Sequence, residues 1–439
     1  MYIPSDEIHP KNYICIDEVG EVFEWHGRIL RGIRPAAKEL ADYYFNSGFI
    51  AEIVEKGLFP MTKISEHTNE NYCMILEHEK IDSCINDSEW CFEMLKDAAL
   101  LVLQIAQIGR KYGMDMKDCH SKNIMFKNNR PVYVDLGSFV PMEDGVSGMS
   151  VYSLILRNYV YVLNLWRDGL RDVPKRIMAI TYLSDEDYYL YRYPLLRICG
   201  GTFLSFFMKF RMLPLKMCLL STERLKKYNK LIRIVKKVID NFKSLECQKL
   251  EKLEKRVQLI KMKYEVHNTP VKYTLHLPDD VLTELVDKKL MVINPSEYNM
   301  VEVLSECIGG GKILAVDYDE NKGNANYLYY KSRSNHVIQS AVYNVWEPYL
   351  KEVIQESSAC RFKQDIVIFN NVRQIEKDLG YVPLIYAFKS ILRYNFSKLL
   401  VVSYGDYNFE DIIFRYYTLT KKICGNNNYV YYFFEKNMQ

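Results

Sequence analysis

Residues 113–139, GMDMKDCHSKNIMFKNNRPVYVDLGSF, decide how the first half of the chain is read. Asp118 stands on a loop ahead of Asn123. After an intervening strand, Val132-Tyr133-Val134, the chain reaches Asp135-Leu136-Gly137. One carboxylate to orient a hydroxyl, then an amide and a second carboxylate to hold cations, is the order a phosphoryl-transfer site needs. Asp118 is therefore the expected catalytic residue, and Asn123 and Asp135 the expected magnesium ligands on ATP. A bare Asp-x-x-x-x-Asn is a weak signal, and the strand leading into Asp135 strengthens it.

The chain upstream supplies a consistent series of elements. Val22-Phe23-Glu24-Trp25 and Ile29-Leu30-Arg31 flank His26-Gly27 and predict a hairpin. Pro35 opens a helix running to about Lys56, interrupted at Asn46-Ser47-Gly48. Two further strands, from Phe59 to Ser65 and from Tyr72 to Glu77, close on the turn His67–Asn71. Trp90, Met94, Ala98, Leu101, Ile105 and Ile108 then mark the apolar face of a helix that ends at Gly113. The glycines that might cradle phosphate are scattered as Gly20, Gly27 and Gly32, and no strand lysine is present. Arg31 takes the nearest place, either as a phosphate contact or as a solvated strand residue. Glu39 and Glu52 are the helix glutamates placed to pair with such a cation. Glu77 falls where the backbone would meet an adenine edge.

The loop resembles the catalytic loop and metal-binding turn of the protein-kinase-like fold, which includes aminoglycoside and choline kinases. That resemblance implies a two-lobed region, residues 1–80 and 81–221, with an apolar, helical second lobe. A lysine-rich stretch follows over 222–265. Its stripe of Tyr228, Ile232, Val235, Ile239, Phe242, Leu245, Leu253, Val257 and Ile260 suits a helical linker, or a basic helix (222–264) lying on anionic lipid.

Residues 266–439 read differently. Apolar strands at Leu290–Ile293, Lys312–Tyr318, Ile366–Phe369, Leu399–Val402 and Tyr429–Phe434 alternate with helical stretches, which predicts a parallel doubly wound sheet. Asp317, at the end of the second strand, is placed to bind a ribose diol. The turn after the first strand, Asn294-Pro295-Ser296-Glu297-Tyr298-Asn299, has no glycine, so its side chains are expected to fill the space of a nucleoside cofactor. The fold class is thus α/β and multi-domain: a kinase-like region followed by a Rossmann-like domain.

Over its length the chain resembles a bacterial family of class I SAM-dependent methyltransferases related to nodulation proteins, in which a kinase-like region precedes a Rossmann-like domain. The resemblance is most specific at Glu89-Trp90-Cys91-Phe92-Glu93-Met94-Leu95-Lys96-Asp97-Ala98-Ala99-Leu100 and at Lys117-Asp118, Asn123, Asp135 and Ser138-Phe139. It departs at Cys119-His120-Ser121-Lys122, where the family places a small residue and proline. His120 reads as an acid–base group or as a loop histidine packed on the core. The resemblance implies S-adenosylmethionine as a cofactor and a small-molecule, glycan or lipid-linked acceptor.

Composition bounds these readings. A net charge of +3 gives no general pull toward nucleic acid. The 11 cysteines never form Cys-x-x-Cys, which argues against a zinc ribbon and for a reducing, cytoplasmic setting, membrane-peripheral if the basic helix docks. The N-terminus has no signal-peptide pattern, and the apolar run from Ile198 to Met208 falls short of the about 20 residues a bilayer span needs. Three functions follow as expectations: a phosphotransferase with a degenerate methyltransferase-like domain, a methyltransferase of glycan or small-molecule biosynthesis, and a non-catalytic scaffold.

Overall fold

A computed structural model of the chain describes residues 1–9, 17–83, 85–142, 151–170, 173–175, 177, 183–192, 249–262, 276–295, 300–333, 336–342, 361–409, 411–425 and 428–437. The chain divides into two compact units. The first comprises Met1–Asp82, Leu95–Met125 and Pro131–Lys263; the second comprises Ser83–Met94, Phe126–Arg130 and Tyr264–Gln439.

The first unit begins with an antiparallel sheet in the order β1-β2-β4-β3, formed by β1 (Gly20–Trp25), β2 (Arg28–Ile33), β3 (Thr62–Ile64) and β4 (Met74–His78). His26 and Gly27, both at positive φ, close the β1–β2 hairpin as its sequence demands. The other two glycines serve packing: a Cβ on Gly20 would lie 3.1 Å from the Gly32 carbonyl carbon, and one on Gly32 would strike the Tyr72 ring. Between β2 and β3 run helices Lys38–Asn46 and Phe49–Glu55, broken at Gly48, whose φ of 84° is left-handed. Phe23, Leu30 and Ile75 fill the core of this sheet together with Ile3.

Helix Phe92–Lys111 follows, ending at Gly113 with φ 64°. The chain then forms β5 (Met114–Met116), the hairpin β6 (Ile124–Lys127) and β7 (Arg130–Tyr133), and β8 (Phe139–Pro141), which pairs with β5. Asn128 and Asn129 turn this second hairpin at φ 53° and 56°, where asparagine substitutes for glycine. Of the 222–264 stretch, the described part is helical over 249–259 and buries Leu250, Leu253, Val257 and Ile260; the remainder lies outside the described residues. Glu254 accepts a bond from Gln107 within the first unit at 2.7 Å.

The second unit is built on a seven-stranded sheet ordered β11-β10-β9-β12-β13-β15-β14. Its strands are β9 (Lys289–Ile293), β10 (Lys312–Asp317), β11 (Ile338–Val342), β12 (Ile366–Phe369), β13 (Lys398–Tyr404), β14 (Tyr417–Cys424) and β15 (Tyr429–Lys436). Five strands run parallel, while β15 runs antiparallel to both β13 and β14. The wholly parallel sheet expected from the strand–helix alternation is therefore corrected to a mixed one. β14 to β15 is a hairpin, too short for the crossover that parallel strands need. Leu290–Ile293 and Ile366–Phe369 are buried at every position, as strands covered on both faces must be. Each such side chain contributes roughly 1.5–3 kcal/mol by leaving water.

The β6–β7 tip belongs to this second unit. Phe126 packs edge-on against Tyr327 and Trp90. Asn129, buried, donates to the Ile338 carbonyl at 2.9 Å and accepts from Ser340 N at 3.2 Å, so its amide pairs with the edge strand β11 as a neighbouring backbone would. Asn324 Oδ1 accepts from Glu93 N at 3.0 Å.

Candidate functional site

Each unit presents one set of residues able to do chemistry. In the first, the pairing of β5 with β8 and the bond from Lys117 N to Ser138 O (2.9 Å) bring loop 117–123 against 135–138. Tyr133 ties the loop together: its hydroxyl donates to Asp118 O at 2.9 Å and accepts from Asn123 Nδ2 at 3.4 Å. Asp118 accepts from His120 N (3.1 Å) and faces His120 Nε2 at 3.0 Å. Burial pushes the Asp118 carboxyl upward, but the hydrogen bonds and charge of His120 outweigh it and hold the group below the usual carboxylate range. Burial likewise disfavours charge on His120, and Asp118 more than compensates, raising its pKa. The two form an ion pair rather than a free base and a free acid.

Asp135 is held locally by Gly137 N at 3.1 Å and by the Ser138 hydroxyl. It also faces Arg31 Nη2 at 3.4 Å. Arg31 is only 3% exposed and takes a second carboxylate, Asp17, on Nη1. Asp17 was not legible in the sequence, since no motif marks it and its partner lies 14 positions on. Close by, burial and then the Arg31 charge lower the His78 imidazole to about 3, leaving it neutral. Glu39 is exposed on the first turn of its helix and Glu77 pairs with Lys63 across β3–β4 at 3.2 Å; neither meets Arg31. Glu52 bonds Tyr112.

As arranged, these groups do not fit magnesium-ATP. Asn123 bonds Tyr133 through its Nδ2, not its Oδ1, but the Asp135 carboxylate is engaged by Gly137, Ser138 and Arg31, and the cation that should meet phosphate already faces two carboxylates. Among the described residues no three His, Cys, Asp or Glu side chains converge as a metal-holding group.

In the second unit the carboxyl ends of β10, β9 and β12 align Asp317, Asn294 and Asn370 at the point where the strand order reverses. Crevices that take ligands in open α/β sheets lie there. Asn294 adopts φ 62°, a left-handed conformation that glycine adopts most readily. It is buried and donates to Asn370 O at 3.0 Å, while Asn370 Nδ2 returns a bond to Asn294 O at 3.1 Å. Residues 296–299 of that turn lie outside the described set. Asp317 is 3% exposed, and Asn326 Nδ2 donates to it at 2.6 Å. Burial, only partly offset by Asn326 and Lys322, pushes its pKa up to about 7. Gly323 leaves room for Val342 of β11, whose side chain a Cβ there would strike. The doublet Asn370-Asn371 closing an all-apolar strand was the sequence signal that could have revealed the clasp.

No family model matches the chain. Over 134 residues it is 28% identical to nodulation protein NoeA of Rhizobium meliloti (strain 1021), a match covering 29% of this chain and 28% of that protein. The chain thus spans less than a third of that relative's length. Among solved structures it is similar to a SAM-dependent methyltransferase from Aquifex aeolicus, at 12% identity and TM-score 0.28, covering 36% of this chain and 88% of that one. It is also similar to the PH0226 protein from Pyrococcus horikoshii OT3, at 13% identity and TM-score 0.27, covering 36% and 88%. At those TM-scores neither likeness bears on what this chain does.

Proposed function

We propose that the second unit is a class I, SAM-dependent methyltransferase domain acting on a small-molecule, glycan or lipid-linked acceptor. The sheet carries this reading: counted from β9, its order is 3-2-1-4-5-7-6 with the seventh strand antiparallel, and its reversal point carries an acidic residue on the second strand. The start of the turn supports it too, since Asn294 has a left-handed backbone and bonds Asn370 through its side chain. Asp317 would hold the ribose diol, and the cofactor, when bound, supplies an electrophilic methyl group. To accept two hydroxyls Asp317 must be ionised. Calorimetry with S-adenosylmethionine tests the reading. Binding that is lost in Asp317→Ala supports it, and no binding by the full chain at any pH between about 6 and 9 sinks it.

A second reading, a kinase-like phosphotransferase in the first unit, is favoured by one observation: Arg31 of β2 faces Asp135, the carboxylate after β7. It stands behind the first because both residues are engaged elsewhere. ATP and magnesium binding that vanishes in Asp135→Ala would restore it.

A further inference from the structure

Helix Val372–Leu379 stands directly after β12 and is bounded by two positive φ values, 56° at Asn371 and 92° at Gly380. It packs against helix Tyr381–Ile391, whose Phe388 stacks on Phe369 of β12 with ring centroids 4.4 Å apart. Ile366 and Ile368 of the same strand belong instead to the core that holds Leu304 and Tyr330, from helices Met300–Cys307 and Glu320–Ser332. Side chains of a strand alternate between its two faces. The helix after β12 therefore lies on the face of the sheet opposite to the helices after β9 and β10, and the switch-point crevice opens between them.

One set of contacts crosses that crevice. Tyr318, the residue after Asp317, donates its hydroxyl to Asp378 Oδ2 of the β12 helix at 2.9 Å, and Lys322 Nζ stands 3.5 Å from the same oxygen. Gln374 Nε2 holds the other oxygen, Oδ1, at 2.5 Å. Because β9 lies between β10 and β12 in the sheet, the Tyr318–Asp378 bond spans the strand whose end carries Asn294. An acid in the last turn of a helix meets the negative end of its dipole. Local helix electrostatics thus disfavour Asp378, and its partners across the crevice, with Gln374, offset that.

On its other flank the helix is tied to the chain after β13. Tyr407 donates its hydroxyl to Glu376 at 2.9 Å, while Arg373 bonds Asp406 O and lies 5.8 Å over the Tyr407 ring. The Tyr407 bond is partly buried, whereas the Tyr318 bond is exposed to water. An exposed bond is exchanged for water at little cost, so the helix releases first on the side facing β10.

We propose that helix Val372–Leu379 is a gate over the switch-point crevice, latched by the Tyr318–Asp378 bond and hinged at Asn371 and Gly380. For its ligand, S-adenosylmethionine, the proposal rests on the methyltransferase reading, and it adds that the cofactor passes only when the latch is undone. A latch that opens for entry and exit alike changes both rates by one factor and leaves affinity unchanged. A side chain that merely touches the ligand changes the rate of exit.

Stopped-flow association and dissociation of S-adenosylmethionine with the full chain test it, together with amide hydrogen exchange over residues 372–379 in the absence of ligand. Tyr318→Phe deletes only the hydroxyl and is expected to raise exchange, entry and exit each about tenfold, because the lost bond is made to a charged group. Asp378→Ala is expected to act in the same direction, and the double variant to gain no more than Asp378→Ala alone, since the two residues act through one bond. Rates equal to those of the natural chain, or a faster exit with unchanged entry, overturn the gate and leave the methyltransferase reading intact. Exchange that stays slow in both variants overturns the gate as well, because the helix then does not open. No cofactor binding by the natural chain overturns the methyltransferase reading, and the gate with it.

Discussion

Asp118 and His120 hold each other charged, and the sign of each shift fixes when the pair exists. Asp118 is depressed, so its contribution is present above its unfolded value of about 3.9 and is lost as pH falls through the lower folded one. His120 is raised, so its contribution is complete below about 6.5 and is lost as pH climbs through the higher folded value. The melting temperature lost in His120→Gln should accordingly be greatest between about pH 4 and 6.5 and shrink on both sides. A loss independent of pH would show that the histidine acts through packing alone. Asp317 works in the opposite sense. Its folded pKa, about 7, lies above the unfolded one, so between the two the folded state binds the extra proton and stability falls as pH rises. Asp317→Asn removes that slope, and its melting temperature should gain on the natural chain from pH 5 to pH 8. Parallel curves would mean that the carboxyl is already charged at pH 5.

At the scale of elements, the β6–β7 hairpin does the least expected work. Asn129→Gly keeps the positive φ of the turn and deletes only the amide that covers β11. The loss should be about 2 kcal/mol in urea unfolding, with faster hydrogen exchange at Ile338–Val342. Unchanged exchange there would show that the edge is protected by other means. The sequence made the covered strands plain, because Leu290–Ile293, Ile366–Phe369 and Leu399–Val402 are unbroken apolar runs between polar turns. It concealed β11, whose Gln339-Ser340 interrupts the run, and β14, an edge strand whose Thr418, Lys421 and Lys422 are exposed. The Asn128-Asn129 turn was hidden too, since only one strand was expected between Asn123 and Asp135. In the sites, Asp118, Asn123, Asp135 and Asp317 could be named from spacing. Spacing could not say that Tyr133 and Asn326 would engage them, nor that Asp17 would pair with Arg31 and Asn370 with Asn294, because those contacts join segments with no common motif.

For the whole molecule, the second unit is not a continuous piece of chain. Residues 83–94 and 126–130 supply Trp90, Phe126 and Asn129 to it. A fragment of residues 276–439 leaves β11 without its amide cover and Tyr327 without Phe126. It should bind the dye ANS and aggregate where the full chain does not, because an uncovered edge strand recruits other strands. A monomeric fragment that excludes the dye would show that the borrowed segments are dispensable. Among the described residues, no helix is long and apolar enough to cross a membrane.

The borrowed hairpin also sets an order of events on the ribosome. Asn129 is 209 residues ahead of Ile338, the strand residue it bonds. At about 5–20 residues per second of synthesis, Asn129 leaves the peptidyl-transferase centre roughly 10–40 seconds before its partner has been polymerised. During that interval the nascent hairpin keeps a polar tip and the Phe126 ring without their docking surface. The second unit therefore closes only after its last strand, β15 (Tyr429–Lys436), has been synthesised.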